Sequence, residues 1–359
     1  MTLALSWAQV LGWRLRRQFV SGAGGPDAVA IARRLCGVQA QVASSAHLAV
    51  AVRRAAPDAG EIDRLLWQDR ALVKTWIMRG TLHLVPADTL ADYCSALGTL
   101  RFWEKGSWQR GHGVTAEEIA AIIEAVPKAL GDQPLTREEL VDAVVTVTGD
   151  DHLREALTSG WGALLKPLSR LGELCYGPPR EGRVTFVAPR LWIPGWTALP
   201  PFEEAGVRLA RSFLGAHGPA TPDMFDKWLF GGVVRKSVLK GWFRDLGPEL
   251  TEVEVDGQTL LALSSDVDDL AAARPSEEVH LLPGFDQYIL GAPRDLEPLL
   301  PAAVKAKVSR QAGWISPVVI HRGRVAGVWE PRDLSLELFE PVPQELLDSA
   351  VERVRGLLG

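Results

Sequence analysis

Cysteine is scarce in this 359-residue sequence: Cys36, Cys94 and Cys175 are odd in number, far apart, and have no His or Cys at ligand spacing. That excludes a disulfide framework and a paired-cysteine zinc site, and reads as reduced, mostly buried thiols of a cytoplasmic protein. No run of about eighteen apolar residues is present, so no membrane span is expected. Residues 1–20 set Arg14, Arg16 and Arg17 into a helical pattern with Trp7, Val10, Leu11 and Leu15, unlike the continuous apolar segment of a secretory signal. Familiar catalytic signatures are missing as well. There is no Gly-x-Ser-x-Gly elbow, no His-Glu-x-x-His, no Walker loop and no Cys-x-x-Cys pair. The glycine-rich stretch 21–25 follows no strand and fits neither nucleotide fingerprint, so it reads as a connector. Seven histidines are too dispersed to nominate one by spacing. Neither a metal nor a cofactor is expected.

What the sequence does hold is apolar mass and an uneven charge. At 47% hydrophobic it can bury the cores of two to four modules. The net charge of −5 hides an asymmetry, with 14 Lys/Arg against 8 Asp/Glu in residues 1–110 and 25 against 36 in the rest. A local basic face serves phosphate binding whatever the total.

That basic segment holds Gln39-Ala40-Gln41, between helices expected over 26–36 and 44–54. Gly37 reads as the stop of the first, and Ser44 or Ser45 as the N-cap of the second. Residues i and i+2 point about 200° apart on a helix but to one side of an extended segment. In an extended connection both amides face one space, with Ala40 turned away. Each offers one carbonyl acceptor and two N–H donors, enough to hold a water or a base edge between them. A bare Gln-x-Gln is common on protein surfaces, so its weight comes from the surrounding chain.

The coarse pattern repeats. A helix over 60–70 and two strands within 71–85 complete a helix, helix, helix, hairpin order, followed by a helix over 88–97 and a linker to 113. A second set begins with capping boxes at Thr115/Glu118 and Thr136/Glu139, continues with a helix over 152–171, and ends in strands at 174–176 and 183–187. A third runs through helices over 202–217, 221–229 and 233–246 to strands at 250–255 and 258–263, joined by Asp256-Gly257, a strong two-residue turn signal. The last part turns to strands at 279–283, 315–321 and 324–329 and a closing helix over 344–358. The expected segments are 1–112, 113–198 and 199–272 as winged helix-turn-helix modules and 273–359 as a small α/β cap. The fold class is α+β, mainly helical. Of the single residues, His83 on its apolar strand reads as a core histidine. Asp286, in an apolar stretch beside Tyr288, needs a partner and reads as a structural anchor or a site residue.

Four features in order, Gln39-Ala40-Gln41, Trp76-x-x-Arg79-Gly80-Thr81-Leu82-His83, Leu281-Leu282-Pro283-x-Phe285-Asp286 and the tandem winged-helix plan, make the chain resemble the AlkZ/YcaQ family of DNA glycosylases. The resemblance covers essentially its whole length. It implies winged helices wrapped in a C shape around double-stranded DNA carrying alkylated purines, chiefly bulky N7-alkylguanine, with some members unhooking interstrand crosslinks. The family's catalytic motif, a glutamine, an apolar residue and a second polar residue, falls on Gln39, Ala40 and Gln41. The expectation is a monomeric, monofunctional glycosylase of repair or self-resistance, working without metal or cofactor. DNA contacts are assigned to Arg14, Arg16, Arg17, Lys166, Arg170, Lys236 and Lys240, with the hairpin carrying Arg322 and Arg324 as a groove probe. Arg79, His83 and Asp286 stand as anchors beside the site. The competing expectation is a winged-helix transcription regulator without catalytic activity.

Overall fold

The computed structural model describes residues 3–158 and 162–358, a mixture of helices and strands in two compact units. One unit joins the residues up to Glu61 to those from Val207 on, and the other is Ile62–Gly206. Residues up to Glu61 pack with the part from Val207 on, whereas 62–112 group with 113–206. No helix among the described residues is long and apolar enough to cross a membrane.

In the first unit, residues 3–5 are not part of the opening helix. Leu3–Leu5 is a strand lying parallel to Leu250–Val255, with Leu3 opposite Val253 and Leu5 opposite Val255. A partner some 250 residues on supplies the hydrogen bonds, which no local periodicity can announce. Leu250–Val255 continues antiparallel to Gln258–Leu263, across a turn in which both Asp256 and Gly257 have positive φ, the conformation that suits a two-residue hairpin. The Asp256 carboxylate accepts from the Trp7 N–H at 3.0 Å. Ser6 and Gln9 close a reciprocal capping box. The helix Trp7–Arg17 thereby starts at a fixed place and buries Trp7, Val10, Leu11, Trp13 and Leu15 against Val253, Val255 and Leu260. A four-stranded antiparallel sheet of Val279–Leu282, Val318–His321, Arg324–Trp329 and Leu336–Leu338 extends this core, and the helix Gln344–Leu358 packs on its first strand.

The second unit pairs Leu72–Trp76 with Leu82–Pro86. Both anticipated capping boxes are present, starting the helices Ala116–Ala129 and Arg137–Thr148. Cys175–Arg180 and Arg183–Val187 form the hairpin, and Leu135–Thr136 adds a third strand beside the latter. The expected helix over 152–171 is broken into His152–Thr158, a tight turn at Ala163–Leu165 and Lys166–Arg170, with 159–161 outside the described residues. Gly162 shows why: its φ is +74°, and a Cβ there would lie 3.0 Å from the Trp76 ring. The expected linker before 113 holds two short helical pieces, Phe102–Glu104 and Gly106–Gly111, because Trp103 is buried in the core.

Candidate active site on the glutamine connection

The helix Ala28–Arg34 is capped by Asp27 and stops where Cys36 and then Gly37 take positive φ. The Gly37 N–H donates to the Ala32 carbonyl at 2.7 Å, the closing bond of a left-handed C-terminal cap. The chain leaves extended, as Val38–Gln39. Gln39 is 6% exposed and Ala40 is buried, while Gln41 is exposed at a bend. The next helix, Ala43–Ala51, begins one residue earlier than expected. Its N-cap is Val42 in extended conformation, without a side-chain cap, so Ser44 and Ser45 fall inside the first turn. Its uncapped N–H groups place the positive end of the helix dipole beside Gln41.

Between Gly37 and Ala46 no side chain ionises, so whatever this connection does, it does with neutral amide dipoles. Burial pushes the neighbouring Cys36 thiol up to about 12, which leaves it protonated and unreactive.

Asp286 makes a bidentate pair with Arg53, both contacts 2.7 Å and both side chains wholly buried. Arg53 also donates to the Ala49 and Gln18 carbonyls, and Asp286 accepts from the Tyr288 N–H at 2.8 Å. All three guanidinium nitrogens and both carboxylate oxygens of the pair are engaged, so Asp286 ties the helix Ala43–Ala51 to the C-terminal part of its unit. Arg53 escaped sequence reading, since an arginine at the end of an apolar helix carries no sign of burial. His83 is buried, its Nδ1 3.0 Å from the Thr81 carbonyl, and burial drives it down to about 3, so it stays neutral. Arg79 sits half-buried with φ at +52°.

The cations chosen as phosphate ligands divide sharply. Arg14 is 4% exposed and donates to the Gly218 and Pro219 carbonyls, and Arg17 pairs with Asp266 at 2.8 Å. Both are engaged within the fold, Arg17 staying partly exposed, and Arg16 is the most open of the three. Much of the N-terminal basic excess thus turns inward, toward Asp266 and Asp286 of the same unit. Arg170 is also buried, its guanidinium 4.4 Å from the Phe102 ring centre and its pKa lowered by burial to about 10. Lys166 is half-buried, whereas Lys236 and Lys240 are exposed on the helix Lys236–Asp245. The hairpin tip does not project. The Gly323 carbonyl accepts from the Tyr288 hydroxyl at 2.6 Å, and a Cβ on Gly323 would strike Leu11. Arg322 is paired with Glu277 and Arg324 lies 3.8 Å from Glu340. The tip is thus anchored at Gly323, with the Arg322 side chain left exposed. No group of three metal-binding side chains occurs among the described residues.

A family-wide profile described as DNA glycosylase AlkZ-like matches residues 32–358. An interstrand DNA cross-link repair glycosylase of Streptomyces sahachiroi is 43% identical over 351 residues, covering 97% of this chain and 94% of that protein. The solved structure of the Streptomyces sahachiroi DNA glycosylase AlkZ superposes with a TM-score of 0.93 at 42% identity, covering 99% of this chain and 98% of that one.

Proposed function

Since the chain belongs to the AlkZ-like family of DNA glycosylases, we propose that it hydrolyses the N-glycosidic bond of N7-alkylated guanine, including guanine tethered to the opposite strand, with Gln39 and Gln41 at the reacting centre. Alkylation at N7 makes the base cationic and a good leaving group, so the enzyme needs no strong acid. It needs a water held on the far face of the sugar and stabilisation of an oxocarbenium-like transition state. Amide oxygens of Gln39 and Gln41 supply both, orienting the water and turning negative dipole ends toward the developing cation. The uncapped start of Ala43–Ala51 suits a neighbouring phosphate. With no lysine nucleophile at the site, the product is an abasic site in an unbroken strand.

The observation that carries this reading is the non-helical glutamine connection, an extended Gln39 and an exposed Gln41 flanking a buried Ala40, in a stretch without ionisable groups. A crosslinked base cannot swing freely into a deep cavity as ordinary base flipping requires, and a connection at a helix start suits a shallow site. The helix–helix–helix–hairpin order, with strand Leu135–Thr136 completing the second hairpin's sheet, supports winged-helix modules that bind duplex DNA. Repair of, or self-resistance to, an alkylating agent is the biological setting.

The test is single-turnover release of base from duplex carrying N7-methylguanine, beside the same duplex with a bulky adduct. Replacing both Gln39 and Gln41 by Ala removes water positioning and charge stabilisation together, expected to slow release by at least about 100-fold while duplex affinity changes little. Because neither amide titrates, the wild-type rate should be nearly flat from about pH 6 to about pH 9. Undiminished release in the double variant places the reacting centre elsewhere.

A further inference from the structure

The segment 305–314, Lys-Ala-Lys-Val-Ser-Arg-Gln-Ala-Gly-Trp, figures in none of the sequence expectations, yet it carries three cations and no acid. Its end is a small stiff loop. Ser309 and Ile315 bridge its base. The Arg310 N–H donates to the Trp314 carbonyl at 2.9 Å and the Trp314 N–H to the Gln311 carbonyl at 3.2 Å, with Ala312 and Gly313 both at positive φ. Trp314 is 45% exposed, the only tryptophan among the described residues to be so open. Its ring meets Phe285 edge-on, centres 4.9 Å apart at 73°. Phe285 itself holds φ at +62°. The aromatic is therefore propped in place and left facing solvent.

Its position matters as much as its exposure. Beside Phe285, a Cβ on Gly284 would lie 3.0 Å from the Ile315 carbonyl and 3.7 Å from Ser45 Oγ. Ser45 stands in the first turn after Gln41. Trp314 is thus joined through one layer of contacts to the helix start that follows the glutamine pair. Of the cations, Lys307 is taken by Glu337 and by the Phe339 ring. Arg310 is exposed and has no ion-pair partner among the described residues.

We propose that Trp314 and Arg310 form a second DNA contact of this glycosylase: Trp314 stacks on a base flanking the target nucleotide, and Arg310 takes an adjacent phosphate. An exposed aromatic next to an uncommitted guanidinium is the combination that binds unstacked bases without reading sequence. The loop's internal bonds mean little ordering is required when DNA arrives. The inference rests on Gln39 and Gln41 marking the reacting centre, since that fixes which nucleotide lies beside the loop.

The experiment compares the full chain with W314A, W314F and R310A. Affinity is measured on duplex holding a stable tetrahydrofuran abasic analogue across a salt series, with acrylamide quenching and base release from N7-methylguanine duplex alongside. W314A should weaken binding about tenfold with an unchanged thermal midpoint, and W314F should recover most of it. R310A should flatten the salt slope by about one. DNA should shield part of the wild-type fluorescence from acrylamide, and this shielded part should vanish in W314F. Wild-type affinity in both W314A and R310A, or an affinity loss that only tracks a lowered midpoint, overturns the proposal. A wild-type chain that binds the analogue but releases neither N7-methylguanine nor a bulky N7 adduct would sink the functional reading, whereas affinity losses in W314A and R310A would still show the loop on DNA.

Discussion

The two compact units solve the same packing problem with different chemistry. The Ile62–Gly206 unit is held mainly by apolar and aromatic contacts, and even its buried Arg170 rests on the Phe102 ring: Trp76 stands 5.0 Å from Tyr176 and 6.1 Å from Phe186, in one cluster with Ile122, Val126, Leu140 and Val144. Ion pairs such as Arg180–Glu139 and Lys128–Glu124 lie in solvent. The other unit is assembled from both ends of the chain, and there charges go inside: Arg53–Asp286 wholly buried, Arg14 on two carbonyls, Arg17 on Asp266. Apolar burial is non-directional and tolerates sliding. A bidentate buried pair fixes one register, because a misaligned pair leaves a charge unsatisfied. The unit that must hold an unregular glutamine connection in place is the one that uses directional contacts.

The sharpest way to break this comparison is Asp286→Ala. Stranding the Arg53 guanidinium in the interior should destabilise by about 3–5 kcal/mol, and hydrogen exchange should rise in the residues before Glu61 and after Val207 more than in 62–206. Replacing Arg53 and Asp286 together by Leu should restore much of the loss, since no lone charge is left. A single Asp286→Ala variant as stable as the parent would make the buried pair incidental.

Acid is the next largest perturbation, and it should reach both units. Each buries a histidine lowered by burial from 6.5 to about 3, His83 in one and His217 in the other. The folded pKa lies below the unfolded one, so between these values the unfolded chain binds protons that the native chain does not. Stability is therefore full above about pH 6.5 and falls as pH drops toward about 3. Urea midpoints across that range should decline, and His83→Gln should flatten the decline in exchange readouts of 62–206 only. A midpoint independent of pH in this range would remove the buried-neutral assignment.

How much of this was legible beforehand follows the range of the interactions. The hairpin 250–255/258–263 and the helices 202–217 and 344–358 were readable to the residue, since Asp-Gly turns, caps and 3.6-residue periodicity are local. The strand Leu3–Leu5 was hidden because its partner is distant, although Ser6 and Gln9 spelled out the capping box that ends it. The break near Gly162 had a local sign in its glycine and in Pro167, overridden by the apolar run around them. The glutamine connection was legible as an interruption between two helices. The fate of the cations was not: sequence gives the charge of Arg14, Arg17 and Arg53 but not which carbonyl or carboxylate will face them. The same blindness concealed Trp314, whose exposure depends on a loop closed by its own backbone bonds.

The smallest expected effect tests the other side of the comparison. Arg180 and Glu139 form an ion pair in which both side chains are well exposed, so solvent screens the attraction and side-chain freedom opposes it. Glu139 has a second task, accepting from the Thr136 N–H at 2.8 Å in the capping box, so the informative change is Arg180→Ala, which leaves the cap intact. Its thermal midpoint should match the parent at low and high salt alike. A drop approaching that of Asp286→Ala would mean that the 62–206 unit also depends on directional charge, and the contrast between the two units would fail.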